Sequence, residues 1–124
     1  MEVSYVYRVL DVTKVVDGDT VDLLVDLGFR VCVNQRFRLL GVNTPEIYRP
    51  VSEQEKLAGL KCKTYLEECL LSHRSALVVK SYKTDVYGRY LGEIFYKDEV
   101  SGQFISVNSP MVEFVNKLSA SETT

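Results

Sequence analysis

The chain has 124 residues, 46% of them apolar and 26% charged, with eight Tyr and five Phe. That is enough length and apolar content to bury a core, and it lies far from the composition of disordered chains. Fifteen Lys and Arg against seventeen Asp and Glu leave a net charge of −2, so any nucleic-acid binding must rest on a local cluster of cations. No apolar run approaches the ~20 residues of a membrane-spanning helix, which excludes a helical membrane protein.

In chain order, the first forty residues alternate between apolar and polar with period two, the mark of half-buried strands. Val3, Tyr5, Tyr7 and Val9 share one face of a first strand. Val21, Leu23, Val25 and Leu27 share a face of the second, with Asp22 and Asp26 opposite. Val31, Val33, Phe37 and Leu39 form the inner face of a third, against Arg30, Asn34, Arg36 and Arg38. Asp17-Gly18 predicts the first turn and Gly28 the second. Thr44-Pro45 ends the third strand, and a loop runs through Pro50.

Ser52-Glu53-Gln54-Glu55 reads as a capping box opening a helix to about His73, with Ala58, Cys62, Tyr65, Leu66 and Cys69 as its buried stripe. Two more strands are predicted over Ala76–Lys80 and Arg89–Tyr96, separated by a polar turn at Thr84–Gly88. A short Phe104–Val107 segment follows, then a second helix from Asn108-Ser109-Pro110 that fades near Leu118. The order β-β-β-α-β-β-α is that of a five-stranded Greek-key barrel of oligonucleotide-binding (OB) type, an α+β fold. The expected organisation is one domain over residues 1–118 with a flexible polar tail at 119–124.

The cysteines Cys32, Cys62 and Cys69 form no disulfide framework. Cys62 and Cys69 stand roughly 10 Å apart along one helix, too far to bridge. With His73 as the lone histidine they fit no zinc pattern. The start carries no export signal, and a reducing cytoplasm is the expected compartment.

Three stretches hold polar groups suited to chemistry: Val16-Asp17-Gly18-Asp19-Thr20, Phe37-Arg38-Leu39-Leu40-Gly41-Val42-Asn43-Thr44-Pro45-Glu46, and Thr84-Asp85-Val86-Tyr87-Gly88-Arg89. Each has an ordinary reading. Asp17 and Asp19 could simply shape a turn, Arg38 could be an exposed strand cation, Glu46 a solvated loop residue, and Arg89 a partner for Asp85. Together they form the set that phosphodiester hydrolysis requires. Two guanidinium groups can stabilise charge growing on the phosphate, a carboxylate can hold a hard cation, and another can activate water.

These stretches, in this order and spacing, resemble the staphylococcal-nuclease-like (thermonuclease) family over roughly residues 9–118. The resemblance implies the barrel reached above and calcium-dependent hydrolysis of DNA and RNA to 3′-phosphate products, with single-stranded DNA or RNA as substrate. It implies Asp19 and the backbone carbonyl of Thr44 as calcium ligands, with Asp17 supporting them from behind. Glu46 matches the general base or water-positioning residue. Arg38 and Arg89 match the phosphate-gripping pair, Tyr87 matches a nucleotide-contacting tyrosine, and Asp85 stands in support beside Arg89.

Three departures qualify the match. Asn43 stands where the family has a second calcium-binding aspartate, so the expected metal site is weaker or prefers another divalent cation. Val86 replaces a lysine that helps hold a terminal phosphate. The chain also stops soon after the second helix, so a third C-terminal helix and its preceding aromatics are expected to be missing. The alternative reading is a catalytically weak or inactive nuclease-like module that binds nucleic acid or a protein.

Overall fold

The computed structural model describes residues 4–82 and 84–122. Its sheet is built around one long strand, β1 (Tyr5–Asp17), which serves two partners in turn. Tyr5–Arg8 pair antiparallel with β4 (Leu77–Tyr82), and Arg8–Asp17 pair antiparallel with β2 (Thr20–Asp26). Three register shifts interrupt the β1–β2 ladder, between Val9 and Asp11, Val12 and Lys14, and Val15 and Asp17. Each such irregularity bends and twists the strand, which is how a single sheet curls onto itself. The third strand, β3 (Cys32–Leu39), follows β2, and β5 (Tyr90–Lys97) follows β4. A parallel pairing of Phe37–Leu39 with Tyr90–Gly92 then closes the ring. The result is the predicted five-stranded OB-type barrel with two helices, extended by a three-residue strand, β6 (Phe104–Ser106), at the outer edge of β5.

The barrel interior is filled by Val9, Val21, Leu23, Val25, Phe37, Leu39, Val79 and Ile94, and Cys62, Leu66 and Leu70 of helix α1 (Glu53–Ser72) pack onto that core. Burying each larger side chain contributes roughly 1.5–3 kcal/mol relative to exposure. Helix α1 begins as its sequence predicts. Ser52 Oγ accepts the Glu55 amide proton at 3.1 Å, and Glu53 and Glu55 place negative charge in the first turn, where the helix dipole favours it. Its stripe differs in part: Tyr65 and Cys69 are half-buried while Gly59 and Leu70 are buried. The Tyr65 ring instead stacks on Phe114 of helix α2 (Asn108–Glu122), with centroids 4.3 Å apart.

Other expectations are corrected. The first strand continues to Asp17, and Tyr5 is exposed; Val3 lies outside the described residues. Leu27, Val31 and Val33 are exposed because the β2–β3 hairpin runs past the packed barrel to a tip at Gly28–Arg30, where Phe29 and Arg30 adopt left-handed backbone. Arg89 precedes the fifth strand. Helix α2 continues to Glu122, through most of the segment expected as a tail; Thr123 and Thr124 lie outside the described residues. Among the described residues, no helix is long and apolar enough to cross a membrane.

Asn108 joins the last helix to the barrel. It is 4% exposed, its Oδ1 accepts from the Ile94 amide at 3.1 Å, and its Nδ2 donates to the carbonyls of Leu40 and Gly92 at 3.0 and 3.1 Å. Asn108→Ala would leave the buried Ile94 amide without its acceptor and take a donor from the Leu40 and Gly92 carbonyls, of which Gly92 keeps the Leu40 amide. We expect a loss of about 3 kcal/mol, read as a lower urea midpoint at unchanged slope.

Candidate active site

The hairpin between β1 and β2 reverses over Asp17–Thr20 and sits directly on α1. A Cβ built on Gly18 would lie 2.6 Å from Cys62 Cβ and 2.8 Å from Thr44 Cγ2, so only glycine allows this approach. The turn is tied to the end of β3 as well, since the Leu39 amide donates to the Asp19 carbonyl at 2.7 Å. Asp19 is consequently buried, 9% exposed, and each of its carboxylate oxygens accepts one hydrogen bond. Oδ1 accepts from the Thr20 hydroxyl at 3.0 Å and Oδ2 from the Thr44 amide at 3.2 Å, while the Asp19 amide donates to Asp17 Oδ1 at 3.0 Å.

The two carboxyl groups titrate as a pair. Burial, and then the hydrogen bond and charge of Asp19, push Asp17 up to about 7. Burial also opposes charge on Asp19, but hydrogen bonds from Asp17, the Thr44 amide and Thr20, with the nearby Arg38 charge, outweigh it and hold Asp19 below the usual carboxylate range. Beneath the hairpin, burial and the Asp19 charge push the Cys62 thiol up to about 11, so it stays protonated as a packing group.

The β3–α1 loop brings the second set. Gly59, on α1, faces it so closely that an added Cβ would lie 2.7 Å from the Pro45 carbonyl oxygen and 2.8 Å from Ile47 Cγ1. Thr44 is thereby held against Asp19. Asn43 turns its Oδ1 toward Arg38, at a long 3.4 Å from Nη2. Glu46 is exposed and accepts the Tyr48 amide proton at 3.1 Å on Oε1.

Arg38 comes from β3, and Arg89 from the turn that leads into β5. Arg38 lies opposite Thr20 of β2 and Leu91 of β5. Arg89 lies two residues ahead of Leu91, just before β5 begins at Tyr90. Asp85 organises the second arginine. It accepts from Arg89 Nε at 2.6 Å and from the Tyr87 and Arg89 amides at 2.9 and 3.0 Å. Partial burial opposes the Asp85 charge, yet these amides and the guanidinium hold its carboxyl below the usual range. The Arg89 guanidinium also lies over the Tyr87 ring, 5.2 Å from its centroid, and that ring is exposed.

Asp17, Asp19, Thr44, Arg38 and Asn43 thus form one connected group. Arg89, Asp85 and Tyr87 form a second group in the turn between β4 and β5, and Glu46 follows Thr44 by two residues in the β3–α1 loop. A family model for "Staphylococcal nuclease homologue" matches residues 36–114. The chain belongs to this family. It is also 32% identical to the uncharacterized protein MJ1439 of Methanocaldococcus jannaschii, over 83% of this chain and 55% of that one. To Protein ParB of Escherichia coli it is 31% identical, over 82% of this chain and 51% of the other. The chain spans about half the length of these curated relatives.

The family member's donor set can be tested against a hard cation. Asp19, the Asn43 amide oxygen and the Thr44 carbonyl are all oxygens, the ligand type that calcium and magnesium take. They carry a single formal charge, and among the described residues no group of three or more His, Cys, Asp or Glu side chains clusters for a metal. By ligand type the set suits a hard divalent ion, with one formal charge among its three donors. Gly18, Gly59 and Tyr48 were not singled out as site residues. Asp17-Gly18 signals a turn in the sequence, whereas the roles of Gly59 and Tyr48 depend on contacts distant in sequence.

Two outcomes follow from this packing. Alanine inside a helix normally gains about 1 kcal/mol over glycine, but Gly59→Ala meets a backbone carbonyl and should lower the melting temperature; a rise would contradict the contact. In chelator, the raised Asp17 carboxyl contributes stability below about pH 4 that is lost as pH climbs toward 7. Asp17→Asn should flatten that decline by on the order of 1–2 kcal/mol, allowing for solvent screening, as measured by urea titrations from pH 4 to 8.

Proposed function

We propose that this chain is a divalent-metal-dependent phosphodiesterase that hydrolyses single-stranded DNA or RNA to 3′-phosphate products. The observation that carries the reading is the buried Asp19 carboxylate, held by the Thr44 amide and within the field of Arg38. This pairing of a carboxylate with a carbonyl-bearing loop and a nearby guanidinium supports a site for a phosphate and its cation. A cation held by Asp19, Asn43 and Thr44 would neutralise phosphate charge and polarise the phosphorus centre.

The remaining roles belong to the side chains. Arg38 and Arg89 grip the non-bridging oxygens through their planar forks, more tightly as charge builds there. Glu46 orients the attacking water and takes its proton. As the water oxygen bonds to phosphorus, the bond to the 5′ oxygen breaks, and Arg89 stabilises that departing oxygen by hydrogen bonding. Asp85 fixes the Arg89 side chain through Nε, and among the described residues its two terminal nitrogens have no protein hydrogen-bond partner. Tyr87, exposed beside Arg89, offers a surface for the nucleotide.

A specific observation favours a second reading, a weakly active or inactive module that binds nucleic acid or a protein. Asn43 leaves the cation only one negative ligand, and its oxygen is turned toward Arg38. The assay that separates the two uses single-stranded DNA and RNA with calcium, magnesium, manganese or chelator. The enzyme reading expects cleavage that stops in chelator and falls at least 100-fold in Arg38→Ala and Glu46→Ala. Arg89→Ala should lower kcat far more than it weakens substrate binding. Metal-independent or variant-insensitive cleavage, or none beside intact binding, would contradict it.

A further inference from the structure

Tyr48 lies in the β3–α1 loop with 61% of its surface exposed, yet its hydroxyl and its amide are both committed. Its hydroxyl donates to the Val16 carbonyl at 2.8 Å, across 32 residues of chain, and its amide donates to Glu46 Oε1 at 3.1 Å. Val16 immediately precedes Asp17 at the end of β1, where the Asp17–Asp19 pair begins. One residue therefore connects the Glu46 carboxylate to the strand end that carries the two aspartates.

The connection matters because Glu46 has little else to hold it. It is exposed, it lies in an irregular segment, and among the described residues the Tyr48 amide is its only hydrogen-bond partner. The loop is fixed on one side by the contacts of Pro45 and Ile47 with Gly59. Without the Tyr48 hydroxyl, the other side of the loop would be free to lift from β1, and the glutamate would sample several rotamers. A water-orienting group works only when held close to its reacting geometry, and a misplacement of about 1 Å can cost 100-fold.

We infer that Tyr48 is a positioning residue for Glu46, clamping the loop to the Val16 carbonyl so that the carboxylate is held beside the aspartate hairpin. Its effect on catalysis rests on the hydrolase reading, while the clamp itself does not. Tyr48→Phe removes the hydroxyl and keeps the ring, and melting temperatures verify that the variant is folded.

The test combines steady-state kinetics on single-stranded DNA at saturating divalent cation with amide hydrogen exchange by NMR. With Tyr48→Phe we expect kcat to fall about tenfold while KM stays within twofold. A purely structural role would instead reduce the folded fraction and leave kcat per folded molecule unchanged. Exchange protection of the Tyr48 amide should fall at least tenfold in both Tyr48→Phe and Glu46→Ala, with the Val79 and Ile94 amides unaffected. Unchanged kcat in an active Tyr48→Phe protein would overturn the positioning role. If the wild-type chain hydrolyses nothing, the hydrolase reading and the catalytic role fall together. Exchange then decides the clamp: lost protection supports it, and retained protection overturns it.

Discussion

Two close approaches to one helix organise the site. Gly18 lets the β1–β2 hairpin settle on Cys62, and Gly59 lets the β3–α1 loop settle on the same helix one turn earlier. A single methyl group at either position would collide with atoms closer than 3 Å. The helix acts as a template on which two segments far apart in sequence meet, and their meeting aligns the Thr44 amide with the Asp19 carboxylate. Because the interior beneath is close-packed, small changes there cannot be absorbed without moving a functional side chain.

That packing has an electrostatic consequence. Bringing the hairpin down buries Asp19 and crowds Asp17 against it, an arrangement that costs free energy unless cations or donors answer it. The Thr20 hydroxyl, the Thr44 amide and the Arg38 charge stabilise Asp19, but Asp17 is left with a strongly raised carboxyl. A pair of this kind is poised to respond to positive charge placed nearby. In the turn before β5, Asp85 pairs with Arg89 through Nε, so that guanidinium too is held by a carboxylate.

Much of this could be read from the residues. The period-two runs located β2, the capping box located the start of α1, and the three motif stretches marked the polar groups that the fold gathers. The limits were physical. Alternation fails along β1 because its three register irregularities break the phase that makes a strand visible. The inner face assigned to Val31 and Val33 failed because a hairpin tip extends past the packing that would bury it. Asn108 looked like a helix start, and its ties to Leu40, Gly92 and Ile94 are long-range. Gly59 and Tyr48 carry no local signal, since their roles exist only once the loop docks.

We propose that hairpin, loop and Arg38 enclose one site for a hard cation and a phosphate. The most direct test is paramagnetic broadening of the amide spectrum of isotopically labelled protein as manganese is added in small steps. Broadening that begins at Asp19, Asn43 and Thr44 and spreads to Glu46, with the β2–β3 hairpin tip unaffected, is the predicted pattern. Broadening centred elsewhere, or spread evenly over the acidic surface, would contradict it.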